Sequence, residues 1–257
     1  MKIIVCLKRV PDVAEAEVKV KPDGSGIIED RLVFDINEPD NYALEEALLI
    51  KERLGGEVFL LSLGDEKSDE VLRMGLAKGA DDAFRITDPA FAGLDGFATG
   101  VVLAKAIGKI GFDIILTGCL ATDDGQAVVG PVIAETLSIP HATLVTKLEI
   151  GDNRVKANRE LEGGLIGVSE VNLPALFTIQ TGINEPRYAS MIGIKRASKR
   201  EIKVLAAQDL DIGVIGSKTK ILNFYIPPVT KHAEIIKGSP DETATQFAQL
   251  IKEKGVL

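Results

Sequence analysis

"FDIILTGCLATDDGQAVVGPVIAETL", residues 112–137, decides the fold. The apolar stretch from Phe112 to Leu116 reads as a strand, running through small and acidic residues into a helix expected from about Gly125 to Leu137. In α/β proteins such a strand-turn-helix holds phosphates, because N–H groups at the helix start attract anions without help from basic side chains. This stretch has no Lys or Arg. Gly118 and Gly125 permit close backbone approach, and Asp123 and Asp124 either cap the helix or reach a ribose hydroxyl.

Upstream, the pattern repeats. "KIIVCL" (2–7) reads as a buried strand, followed by a hairpin turned at "KPDGSG" (21–26). Asn37 is placed to cap a helix on which Ala43, Leu44, Ala47, Leu48 and Ile50 recur at helical spacing, with Gly55 as its stop. Strand 57–63, helix 68–79, strand 82–86 and helix 96–109 complete the alternation. Strands separated by helices require right-handed crossovers, so residues 1–140 read as a doubly wound α/β unit with a parallel sheet.

After Pro140 the period changes to two. "ATLVTKLEIGDNRVKANREL" breaks at Gly151–Asn153 and reads as a β-hairpin; "ALFTIQTG" adds a further strand, with both expected at the sheet edge. Residues 1–182 are expected to form one α/β domain. Beyond Ile183 the chain loses periodicity. "INEPRYAS" (183–190) is either a binding loop or a charged connector. Lys195, Arg196, Lys199 and Arg200 form either a solvated face or a docking patch for an acidic partner or phosphate. The chain then closes on a capped helix, "PDETATQFAQLIKEKGV", with Phe247 and Leu250 as its large apolar residues.

Composition narrows the function. The 257 residues carry 30 Lys and Arg against 38 Asp and Glu, a net charge of −8, which argues against nucleic acid as a partner. No apolar run approaches the ~18 residues of a membrane span, and the opening strand lacks a cleavage site, so a cytoplasmic location and no membrane insertion are expected. Cys6 and Cys119 read as reduced space-fillers, and His141 and His232 are too few to build a zinc site with them. No nucleophile-base pair stands out, and neither a P-loop nor a G-x-G-x-x-G sits at a strand-helix junction. A binder or carrier is expected. Its crevice should lie where the sheet order reverses, at the strand ends Cys6–Val10, Leu63–Asp65 and Thr117–Gly130.

Together these segments resemble the beta subunit of electron transfer flavoproteins. "VCLKRVPD", "NEPDNYALEEAL", "GLAKGAD", "DIILTG", "VGPVIAETLSIPHAT", "NRELEGG", "LPALFTIQ" and "NEPRYAS" follow the family's order and spacing across the chain. The resemblance implies an adenine nucleotide alpha hydrolase-like sheet and a heterodimer whose alpha subunit carries the redox FAD. It also implies an adenine nucleotide in beta: AMP in ordinary carriers, a second FAD in electron-bifurcating members. By position, its contacts fall on Cys6, on Asn37, Glu38, Pro39 and Asp40, on Leu63, and on Cys119, Leu120, Ala121, Thr122, Asp123, Asp124, Gly125, Gln126, Ala127, Val128, Val129 and Gly130. Partner docking falls on Glu160, on Met191 as the apolar anchor for an acyl-CoA or similar dehydrogenase, and on Lys195 to Arg200. Residues 183–257 then read as a docking loop and a C-terminal arm.

The implied role is to help carry electrons from a dehydrogenase, through FAD, to an acceptor oxidoreductase. Alternatives are a bifurcating complex that oxidises NADH and a stand-alone adenine-nucleotide-binding signalling module. Two departures bear on the nucleotide. Leu120-Ala121-Thr122-Asp123 replaces the Gln-Ala-Ile-Asp of many relatives, and Asp123-Asp124-Gly125-Gln126 replaces the Asp-Gly-Asp-Thr of bifurcating members. "VPDVAEAEVKV" and "FAGLDGFATG" lean toward the nitrogen-fixation-associated and bifurcating branch.

Overall fold

Ile3, Ile4 and Val5 are fully buried, as a strand at the centre of a two-faced sheet must be. In the computed structural model, which describes residues 1–13, 17–213, 215–228, 233 and 235–256, they lie on β1 (Lys2–Cys6). His232 and part of "VPDVAEAEVKV" fall outside the described residues. After β1 come β2 (Arg9–Asp12), β3 (Val33–Ile36), α1 (Glu38–Leu54), β4 (Glu57–Leu63), α2 (Asp69–Lys78), β5 (Asp82–Ile86), α3 (Gly96–Ile110), β6 (Ile114–Gly118) and α4 (Val129–Leu137). The second half adds β7 (His141–Ile150), β8 (Arg154–Glu160), β9 (Ile166–Asn172), β10 (Ala175–Ile179), α5 (Met191–Ala197), β11 (Lys203–Leu205) and α6 (Pro240–Glu253).

One sheet of nine strands runs in the order β11-β5-β4-β1-β6-β10-β7-β8-β9. From β11 to β7 the neighbours are parallel, and β7-β8-β9 continue antiparallel. Alternate side chains of the central strands feed two cores. Ile3, Val5 and Leu60 pack with Leu44, Leu48 and Leu72 of α1 and α2; Ile4, Leu61 and Ile115 pack with Val102, Ile107 and Ile133 of α3 and α4. Helices therefore cover both faces, and each such fully buried aliphatic contributes about 1.5–3 kcal/mol. The chain leaves β1 toward β4 and β5, then returns to β6 on the other side, so the order reverses at β1.

The structure departs from the expected elements in several places. The strand in "ALFTIQTG" does not sit at the edge: β10 lies between β6 and β7, and all five of its residues are buried, as an interior strand requires. The extension has three strands because β9 pairs with β8. The N-terminal hairpin's ladder is β2 with β3, while the turn at 21–26 is closed by a single bridge, Val20 to Ile27. Met191 to Ala197, expected to be irregular, form α5, capped by the Ser190 hydroxyl, which accepts from Gly193 N–H at 3.0 Å.

The chain divides into two compact units, Met1–Lys19 with Ile28–Leu222, and Val20–Ile27 with Asn223–Leu257. In the second, Phe224 N–H donates to Gly24 C=O at 2.8 Å, and α6 begins in a capping box of Ser239 and Glu242. No residue of α6 is buried.

Candidate functional site

At the reversal point the ends of β1 and β6 are held by the first turn of α1. Asp40 is 7% exposed, and its two carboxylate oxygens accept from Lys8 N–H at 2.8 Å and Gly118 N–H at 2.9 Å. A Cβ on Gly118 would stand 2.4 Å from Asp40 Oδ1, so the contact requires glycine. Burial raises the Asp40 carboxyl to about 7, against the opposing pull of those backbone donors.

Asn37 is the first residue of α1 in the capping sense, yet its side chain does not cap. The second helical residue is Pro39, which has no N–H to offer it. Its amide instead reaches across the crevice: Nδ2 donates to Leu120 C=O at 2.8 Å, and Oδ1 accepts from Thr122 N–H at 3.0 Å. At 1% exposure, Asn37 is a staple for the loop after β6.

That loop runs to Val128, because α4 begins at Val129 rather than at Gly125. Left-handed backbone at Gly125 (φ 63°) and Ala127 (φ 55°) breaks helical continuation. Gly125 N–H donates to Ala121 C=O at 2.8 Å, and Asp124 Oδ1 accepts from Gln126 N–H at 3.0 Å, closing a turn. Asp123 and Asp124 do not cap α4. They bind Lys8 Nζ at 2.6 and 2.9 Å. Thus the segment that follows β1 supplies the cation that the 112–137 stretch lacks.

No side chain caps α4, whose first residues are Val129, Gly130 and Pro131. With Pro131 lacking an N–H, the donors left at this helix start are few and close to the loop. Gly130 packs on the sheet, where a Cβ would meet Thr178 Cγ2 at 2.5 Å; Gly125 has open space around its Cα.

The expected site residues therefore fall into three groups. Cys6, Asn37, Pro39, Asp40, Cys119 and Gly130 are buried framework, Leu63 and Val129 are half-buried, and Glu38, Leu120, and Thr122 to Val128 are exposed around the crevice, with Ala121 between. Cys6 and Cys119 are free thiols, both pushed above the ordinary range chiefly by burial, so neither is an activated nucleophile.

Glu160, at the end of β8, lies outside this ring but is connected to it. Cys119 Sγ donates to Gln180 Oε1 at 3.3 Å, and Gln180 Nε2 donates to Glu160 Oε2 at 3.0 Å.

The segment after β10 is clamped to the middle of α1. Arg187 makes a two-pronged contact with Glu45, with Nη2 to Oε1 at 2.8 Å and Nε to Oε2 at 2.9 Å, and reaches Glu52 through Nη1 at 2.6 Å. Asn184 Nδ2 donates to Glu46 Oε2 and Tyr42 C=O, each at 3.1 Å. This presents α5 with Met191 81% and Ile192 66% exposed, lining a groove with Ile194, Lys195 and Lys199. Arg73 Nη1 holds the end of α5 through Ala197 C=O at 3.0 Å, and Arg200 reaches Asp81 C=O.

Sequence reading placed Lys8 only within the strand end Cys6–Val10 and Arg187 only within the loop 183–190, without a role for either, and it passed over Gln180, whose partners lie far off in the chain.

Among the described residues no cluster of metal-ligating side chains occurs, and no helix is long and apolar enough to cross a membrane. The profile described as "Electron transfer flavoprotein domain" matches residues 25–210. The chain is 38% identical over 262 residues to the electron transfer flavoprotein subunit beta of Methylophilus methylotrophus, covering 98% of each. It is 39% identical over 263 residues to the same-named subunit of Thermoanaerobacterium thermosaccharolyticum, covering 100% of both. It is 36% identical over 265 residues, again 100% of both, to the caffeyl-CoA reductase-Etf complex subunit CarD of Acetobacterium woodii.

Proposed function

Because this chain belongs to the electron transfer flavoprotein family, on its beta-subunit side, we propose that it holds an adenine nucleotide in the crevice between β1 and β6. In this reading it pairs with an alpha subunit to carry electrons from a dehydrogenase to an acceptor oxidoreductase.

The observation that carries the nucleotide reading is the use made of Asn37 and Asp40. A loop bearing exposed backbone and two carboxylates would be mobile by itself; here four hydrogen bonds from the start of α1 fix both of its strand-end neighbours and its first residues. Such preorganisation serves ligand binding, since the ordering cost is met before the ligand arrives. The donor chemistry fits a phosphate: an uncapped α4 start and a loop with open space at Gly125.

Flavin supplies one- and two-electron chemistry when bound, and this chain's residues position rather than react. Lys8 neutralises one of the two carboxylates in the loop, which limits repulsion of an incoming phosphate. Residues 183–257 are the partner-facing segment, with Met191 and Ile192 as an apolar anchor and Lys195, Arg196, Lys199 and Arg200 as a basic rim.

Co-expression with an alpha subunit, followed by release and counting of bound nucleotides, tests the proposal. One FAD and one AMP per heterodimer is the expected result; a pair without any adenine nucleotide in beta overturns it. A second reading, with a second FAD in beta and NADH oxidation, is favoured by the full-length similarity to a subunit named for a reductase-Etf complex. Two FAD and no AMP would select it.

A further inference from the structure

Gln180 is the residue at which the nucleotide loop and the Glu160 carboxylate meet. It follows β10, which lies directly beside β6, and its own N–H is fixed to Val145 C=O at 2.9 Å. The orientation of its side-chain amide is set by chemistry. Thr181 N–H can only donate, and it faces Gln180 Oε1 at 3.0 Å, so the oxygen must be on that side. The same oxygen accepts from Cys119 Sγ at 3.3 Å, and burial keeps that thiol protonated as a donor. With the oxygen so placed, the amide nitrogen is left to point at Glu160 Oε2, which it meets at 3.0 Å.

Cys119 is the first residue of the loop proposed to hold the nucleotide, and its backbone N–H is bonded to Ile179 C=O at 2.9 Å. A shift of the loop moves the thiol, turns the amide and changes the hold on Glu160. We propose that Gln180 is a positioning residue that couples the nucleotide loop to the Glu160 carboxylate at the end of β8. This rests on the nucleotide reading of the crevice. Coupling is reciprocal: a change at Glu160 must alter nucleotide affinity by the same factor that nucleotide alters the state of Glu160.

The test exploits the direction of the two hydrogen bonds. In the purified heterodimer stripped of AMP, Gln180→Glu keeps an acceptor for Cys119 and Thr181 but sets a second carboxylate against Glu160. AMP titration by calorimetry is expected to show affinity weakened about three- to tenfold, the range of a lost hydrogen bond. Adding Glu160→Gln reverses the pair, so that the amide at 160 donates to the carboxylate at 180. Affinity should then return to within about twofold of wild type, whereas Glu160→Gln with Gln180→Leu should not recover.

A merely structural role for Gln180 predicts no such rescue. If the reversed pair binds AMP no better than Gln180→Glu alone, while melting temperatures show all variants folded, the coupling is overturned. If the wild-type heterodimer binds neither AMP nor FAD in beta, the nucleotide reading fails first and takes this inference with it.

Discussion

The loop at 119–128 and the segment at 183–200 are both held by α1, by opposite means. At the start of the helix, Asn37 and Asp40 are nearly inaccessible and bind backbone groups, so the loop is fixed by buried hydrogen bonds to the main chain. Along its middle and last turn, Glu45 and Glu52 bind one partly exposed guanidinium, so the later segment is fixed by charge. Buried backbone contacts give a rigid cradle that is insensitive to salt; ion pairs near solvent give a hold that salt and partner charges can loosen. A nucleotide cradle gains from the first and a docking surface from the second.

The largest expected effect separates the two regions by pH. Asp40 titrates near 7 when folded against 3.8 otherwise, so the folded chain keeps a proton that the unfolded chain has released. Its contribution is full below about pH 4 and is lost as pH rises through 7, by roughly 4 kcal/mol at most. Urea titrations across this range should show that decline in wild type and a flatter profile in Asp40→Asn. An unchanged slope would mean that the carboxyl is ionised throughout.

Next in size, Asn37→Ala leaves Leu120 C=O and Thr122 N–H without their partner and should cost about 2–3 kcal/mol. Nucleotide affinity should fall more than tenfold with it, in the same calorimetric titration. Loss of stability with full affinity would show that the loop orders itself around its ligand.

Arg187→Ala removes the counter-charge of Glu45, whose side chain is 6% exposed, and should cost about 1–2 kcal/mol. Dehydrogenase docking should weaken while AMP affinity stays put, and the difference from wild type should shrink as salt rises. A matching loss of AMP affinity would join the two regions that this comparison separates. Smallest of all, Lys8→Ala breaks two ion pairs with both sides substantially exposed, and stability should change by less than about 1 kcal/mol. Its effect should appear as a slower association of AMP at low salt.

Much of the α/β half was legible from residue order. The strands at 57–63 and 82–86 and the helices starting near 38, 69 and 96 follow from apolar spacing, caps and glycine stops. The start of α4 was not legible, because "DDGQAVV" satisfies the rules for a helix beginning and the left-handed turn at Ala127 breaks a local preference. Similarly, "ALFTIQTG" could be read as a strand, but its place inside the sheet depends on β6 and β7. In the crevice, the strand ends were identified correctly as neighbours. The capping roles were not: Asn37 and Asp123 both read as helix caps, and neither caps a helix.

What the sequence by itself determined was the alternation of strands and helices over residues 1–137 and the meeting of the β1 and β6 carboxyl ends, since periodicity, capping residues and the handedness of crossovers act over short stretches of chain. Only the tertiary structure decided what the polar side chains do there. Asp40 binds Gly118 across 78 positions and Asn37 binds Leu120 across 83. A hydrogen bond is a matter of a few tenths of an ångström between groups whose separation along the chain carries no distance, so those partners exist only once the sheet has brought them together.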